Sequence, residues 1–212
     1  FRRMEVTSVL LITLLMFLIL GAYYLLKTAR EVFILSEGGA EVKSYSSAGQ
    51  AVLLLFLVPA YGAFASRVNR VQLVQWVTIF FVSNVALFLL ALGAGLHIGI
   101  AYFLWVGIFN LMVIAQFWAF ATDLYTPEQG KRLFPLIGVG ASLGAWVGSV
   151  RGGYLMSMGP ERLLIGAAVI LIVCALLARL VNRVTQRDVS TTPKATDDKP
   201  LAKVTGEFFA QT

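Results

Sequence analysis

Residues 71–122 read VQLVQWVTIFFVSNVALFLLALGAGLHIGIAYFLWVGIFNLMVIAQFWAFAT, a run of 52 without Asp, Glu, Lys or Arg. Its apolar residues are continuous rather than alternating, which excludes the two-sided strands of a membrane barrel. A helix needs about 20 mostly apolar residues to cross the hydrocarbon layer, so the run is too long for one span. It divides at Gly93-Ala94-Gly95-Leu96-His97, a turn-like stretch. Val6–Leu26, Ser44–Ser66, Leu133–Val150 and Leu163–Ala178 are also charge-free. Lipid offers no partner to a free peptide group, so such segments must satisfy their backbone internally, as helices do.

Composition agrees. The chain has 212 residues, 58% of them hydrophobic and 13% charged, whereas soluble domains carry about 25% charged residues. The expected fold is an all-α membrane protein with six transmembrane helices in one bundle, at about 6–35, 44–66, 71–93, 99–122, 133–157 and 161–182. Residues 183–212 are polar and read as a cytoplasmic linker toward a second half. The first run is too long for a signal peptide's apolar region and has no small-residue cleavage site.

The formal charge is +6, and its placement orients the bundle. Arg2, Arg3, Arg67, Arg70, Lys131, Arg132 and the six basic residues after helix 6 fall on one side; Lys43 and Arg162 fall on the other. Basic loops stay cytoplasmic, so both termini are expected there. The same charges flank spans and form no patch interleaved with aromatics, which argues for lipid headgroups rather than nucleic acid as their partner. Cys174 reads as a small buried hydrophobe and His97 as a solvated turn residue. No cofactor motif, metal-ligand cluster or catalytic constellation occurs, so no enzyme activity is expected.

Ionisable groups at membrane depth are costly and point to function. In the stretch AYYLLKTAREVFIL (22–35), Tyr23, Lys27, Arg30 and Ile34 share one face at helical spacing, with Glu31 beside it. Lys27 and Glu31 can pair at i,i+4. One reading is an anion site in which Lys27 and Arg30 attract phosphate or carboxylate and Glu31 balances charge. The other is that both cations snorkel to the outer interface. Arg151 faces the same two alternatives. Asn84, Asn110 and Gln116 are expected to be interhelical hydrogen-bond partners; Asn110 and Gln116 also stand as candidate substrate contacts. Gly140, Gly144, Gly148 and Gly152 recur every four residues, a small-residue stripe for close helix packing that could also slide.

Gly62, Arg67 and Arg70 resemble the helix 2–3 signature of the major facilitator superfamily, G-x-x-x-D-R-x-G-R, with Ser66 and Asn69 departing from it. Gly144, Gly148, Gly152 and Gly153 resemble its antiporter motif G-x-x-x-G-P-x-x-G-G, with Ser149 at the Pro position. More narrowly, YYLLKTAREVFIL, GGAEVKSY and FWAFATDLYTPEQGKRLF are similar to the bacterial and plastid ATP/ADP exchange carriers and their bacterial relatives. The resemblance implies one bundle of a twelve-helix transporter in a bacterial inner membrane. It also implies a second six-helix bundle as partner and a small anionic substrate, in its most specific form a nucleotide. The competing expectation, motivated by Ser66 and Asn69, is a membrane scaffold or sensor that keeps the fold and transports nothing.

Overall fold

The computed structural model describes residues 3–65, 70–124 and 127–191. Among these, every element is an α-helix: α1 (Arg3–Ala65), α2 (Arg70–Gly93), α3 (Gly99–Leu124), α4 (Pro127–Met156) and α5 (Pro160–Thr191). All five are long and apolar enough to cross a membrane. Their outward faces agree: Val52, Leu55 and Phe56 of α1, Trp76, Leu87 and Leu90 of α2, and Val169 and Leu176 of α5 are exposed. Water would not tolerate so much contiguous apolar surface. The chain has the character of an integral membrane protein.

α1 differs from expectation. The sequence suggests a loop over 36–43 between separate helices, yet α1 runs for 63 residues and only Gly38 (φ −178°, ψ 23°) and Gly39 (φ 66°, ψ −152°) leave helical geometry. The polarity of Ser36–Lys43 sets its depth, not its backbone conformation; Ala40, Glu41 and Lys43 are good helix formers. The hydroxyls of Ser36, Ser44 and Ser47 bond to carbonyls three or four residues back. Gly39 occupies a region of φ/ψ space that is essentially restricted to glycine, and there the helix reverses. Glu31 is ion-paired to Lys43, although 12 residues of straight helix would separate them by about 18 Å. Leu26 and Phe33 meet α3 at Tyr102 and Gly99, descending, while Glu37 and Gln50 meet it at Gly99 and Gly107, ascending. The two arms of α1 are therefore antiparallel, and Lys43 lies in helix rather than in an outer loop.

The first arm is the axis of the molecule. It joins a cluster of Leu26, Phe81, Val85, Tyr102, Val106, Leu163 and Leu164 at one depth to a cluster of Ile12, Phe117, Ile137 and Cys174 at another. Edge-on rings knit α2 to α3: Phe81 lies 4.9 Å from Phe109, and Phe88 5.1 Å from Tyr102. The buried Tyr102 hydroxyl donates to the Leu26 carbonyl at 3.3 Å. Cys174 is buried in the second cluster as expected, and His97 is exposed in the α2–α3 turn.

α4 runs parallel to the first arm of α1 along the glycine stripe. A Cβ on Gly140 would lie 2.5 Å from Thr13 Cγ2, one on Gly144 would collide with the Phe17 carbonyl, one on Gly148 would lie 2.7 Å from the Gly21 carbonyl, and one on Gly152 2.7 Å from Thr28 Oγ1. Only residues without a side chain allow this approach. Gly153 meets nothing within 4 Å.

Two boundaries also shift. α4 begins at Pro127 rather than 133, and α5 continues to Thr191, nine residues beyond the expected end. Once a span is helical, each further residue adds a hydrogen bond without new nucleation, so the polar stretch extends the helix. Residues 192–212 of the expected linker lie outside the described residues.

Candidate functional site

The charged residues of α1 gather where its two arms face α3. Arg30 and Glu31 come from the first arm, four turns beyond Met16, and Lys43 from the second. Arg30 Nη2 donates to Glu31 Oε1 at 2.8 Å, and Lys43 Nζ donates to Glu31 Oε2. The expected Lys27–Glu31 pair does not form. Glu31 is held by its sequence neighbour and by a residue that the Gly38–Gly39 reversal brings back, while the Lys27 amine sits 5.2 Å from the Tyr24 ring centroid. Among the described residues Lys27 has no carboxylate partner. Two cations, Arg30 and Lys43, thus hold one carboxylate, and Lys27 lies one turn back along the first arm.

Arg30 is the most enclosed of the set, with its side chain 14% exposed against 32% for Glu31 and 39% for Lys43. Its guanidinium carbon lies 4.7 Å from the Phe103 ring centroid, a stacking that favours arginine over lysine. Its Nε is buried without a hydrogen-bond partner.

A polar line continues from this cluster along the arm–arm–α3 boundary. Lys43, Ser46 and Gln50 are spaced on one face of the second arm, and Ser46 is buried. On α3, Phe103, Gly107 and Asn110 lie at i, i+4 and i+7. The Gln50 amide occupies the volume where a side chain on Gly107 would begin. Gln50 Oε1 and Asn110 Oδ1 are both buried without partners. Buried polar atoms are nearly always hydrogen-bonded; Arg30 Nε, Gln50 Oε1 and Asn110 Oδ1 are three that have no partner among the described residues.

The remaining candidates are distributed. Gln116 is 7% exposed and lines a cavity of about 40 Å³ with Leu15, Phe81, Phe109 and Cys174; its Nε2 has no partner. That cavity lies on another side of α3, and Gln116 does not join the charged cluster. Neither Asn110 Oδ1 nor Gln116 Nε2 makes the interhelical bond expected of it, and Asn84 Nδ2 donates at 2.7 Å to the Phe80 carbonyl of its own helix. An amide in a span satisfies itself locally where the i−4 carbonyl is in reach. Arg151 is exposed beside a groove of about 90 Å³ lined by Phe17, Gly21, Gly144 and Gly148. No hydrogen bond or ion pair links it to Arg30, Glu31 or Lys43 among the described residues. Gly62 is exposed near the end of α1 and Arg70 opens α2; Arg67, with Ser66 and Asn69, lies outside the described residues.

Glu37 was not singled out by the sequence. Both its oxygens accept backbone bonds at the start of α3, one from Gly99 N–H and the other from Ile100 N–H at 3.1 Å. Ile98, whose carbonyl accepts the first helical bond from Tyr102 N–H, is the N-cap residue and has no polar side chain to offer. A missing cap at Leu96-His97-Ile98 is the signal that a donor set needed an acceptor from elsewhere in the chain.

No family model, no curated protein and no solved structure matches this chain.

Proposed function

We propose that this chain is the six-span half of a secondary transporter that moves an organic anion by alternating access. The observation that carries the proposal is the pair of cations, Arg30 and Lys43, on the one carboxylate of Glu31 where the arms of α1 meet α3, with a third cation, Lys27, one turn back and without a carboxylate partner among the described residues. Uncompensated positive charge within apolar helices is costly unless it has work to do, and arginine with lysine is the pair suited to phosphate or carboxylate. If each antiparallel arm of α1 is one crossing, the count with α2–α5 is six, and the start of α1 and the end of α5 would then lie on one side. The basic residues make that side cytoplasmic. The resemblance to major facilitator carriers supports a second bundle in the complete protein, with substrate between the halves near the bilayer midplane. Rocking of the bundles would use the side-chain-free α1–α4 contact as a stiff unit.

Nucleotide exchange is the sharpest form of this proposal. The complete gene product in proteoliposomes should exchange external labelled ADP for internal ATP, and Lys27→Gln or Arg30→Gln should lower that exchange at unchanged protein level. Flux of other organic anions without nucleotides would leave the transporter and remove the nucleotide. No flux of any anion above empty liposomes would favour the non-transporting scaffold.

A further inference from the structure

Glu31 presents both carboxylate oxygens to cations drawn from opposite sides of a chain reversal, one to Arg30 and one to Lys43. We infer that Glu31 is a built-in counter-anion occupying a site made by Arg30 and Lys43, and that a phosphate- or carboxylate-bearing ligand binds there by displacing it onto Lys27. The inference rests on the transporter reading only for the ligand's role as cargo; the site itself is argued from the contacts.

Four observations converge on it. Arg30 is fixed from behind by Phe103 and has spare capacity: a guanidinium offers five N–H donors, and in this structure Nη2 meets Glu31 while Nε is buried and unused. Once Glu31 leaves, the planar fork can take a bidentate oxyanion in its place. Glu31 is about one-third exposed, so its carboxylate can leave without breaking core packing. Lys27 lies one turn back, at i−4 from Glu31, with no carboxylate of its own among the described residues. That spacing is the one at which oppositely charged side chains meet on a helix. A displaced Glu31 therefore exchanges one cation for another instead of becoming an unpaired charge. Finally, Lys43 is tied to the first arm through Glu31 alone among its described ion pairs. The ligand would replace Glu31 as the link between the arms, so the unloaded site is closed on its own carboxylate. That arrangement gives the unloaded site a counter-charge of its own.

The test is calorimetric titration of inorganic pyrophosphate into the purified complete protein in phosphatidylcholine nanodiscs, with citrate as the carboxylate probe. Glu31→Gln, which keeps shape and removes the competing charge, should bind pyrophosphate at least tenfold more tightly than wild type. Lys43→Gln should weaken binding at least tenfold in either background. Lys27→Gln should weaken binding in the wild type, where Glu31 needs its alternative partner, and have no effect in the Glu31→Gln background. Glu31→Ala provides a second removal of the carboxylate, and size-exclusion profiles check that each variant is intact. Replacing part of the phosphatidylcholine with phosphatidylglycerol separates the sources of phosphate: competition by that lipid assigns the site to headgroups, and its absence assigns it to a soluble anion. Equal affinity of wild type, Glu31→Gln and Glu31→Ala overturns the inference, as does a Lys27→Gln effect that persists without Glu31. Binding in none of the proteins also overturns it. The predicted binding pattern with no anion flux in proteoliposomes would instead sustain the site and defeat the transporter reading.

Discussion

Removing the Glu37 carboxylate should loosen the start of α3, and the size of the effect follows from its two bonds. Gly99 and Ile100 are the first residues of α3, and their N–H groups are among the four that no helix can satisfy internally. Glu37 accepts from both. Hydrogen bonds to a charged group are worth about 1.5–3 kcal/mol each, and a carboxylate at a helix N-terminus gains about 0.3–1 kcal/mol from the dipole. Ile100 is exposed, so solvent can replace its bond; Gly99 is buried, so its donor bears the loss. Glu37→Ala should then cost about 2–3 kcal/mol, most of it at Gly99. Glu37→Gln keeps one carbonyl oxygen for Gly99 and loses the charge, a cost of about 1 kcal/mol. The assay is amide hydrogen exchange in nanodiscs, which reads local opening directly. At 1.4 kcal/mol per factor of ten, the Gly99 amide should exchange about 30- to 100-fold faster in Glu37→Ala and about fivefold faster in Glu37→Gln, while amides in the middle of α3 stay unchanged. Unaltered exchange in Glu37→Ala would refute the idea that this side chain caps the helix. A uniform rise across α3 would show that Glu37 holds the whole helix rather than its first turn.

Two further variants test the packing. Gly144→Ala places a methyl group against the Phe17 backbone carbonyl, which cannot rotate away, and should destabilise the protein by about 1–3 kcal/mol, read as a lower melting temperature in detergent; Gly153→Ala, which meets nothing within 4 Å, should be neutral or slightly stabilising. Gln116→Leu removes a buried N–H group that lacks a partner and should raise the melting temperature by the equivalent of about 1–3 kcal/mol with anion exchange retained, whereas loss of exchange at raised stability would make the Gln116 amide a ligand contact.

The fold was legible wherever the bilayer imposes it. α2 and α3 begin and end within two residues of the positions read from charge-free runs, because lipid forbids charge inside a span and requires a helix around it. The glycine stripe was legible for a related reason: its four-residue period lies within one helix, and a face without side chains has few uses other than close contact. At the water layers those constraints lapse. There Ser36–Lys43 looks like a loop by composition and is helix except at two glycines, and the polar residues after 182 prolong α5. Neither outcome conflicts with polarity; polarity simply does not choose between helix and coil once the segment is solvated.

The charged cluster was half legible for a different physical reason. Lys27, Arg30 and Glu31 stand out because they are ionisable residues among apolar ones, and that is a property of the local sequence. Which cation Glu31 meets is not. The i,i+4 rule points to Lys27, and in an isolated helix that pair would form. In the folded chain a second candidate arrives through Gly39, whose positive φ turns α1 back on itself and places Lys43 beside Glu31. The same reversal puts Gln50 against Gly107. The reversal at Gly38–Gly39 thus converts a local pair into a contest between two lysines for one carboxylate. Gly39→Ala, by disfavouring the reversal, should shift Glu31 toward Lys27 and weaken the Lys43 tie even though it touches no charged group.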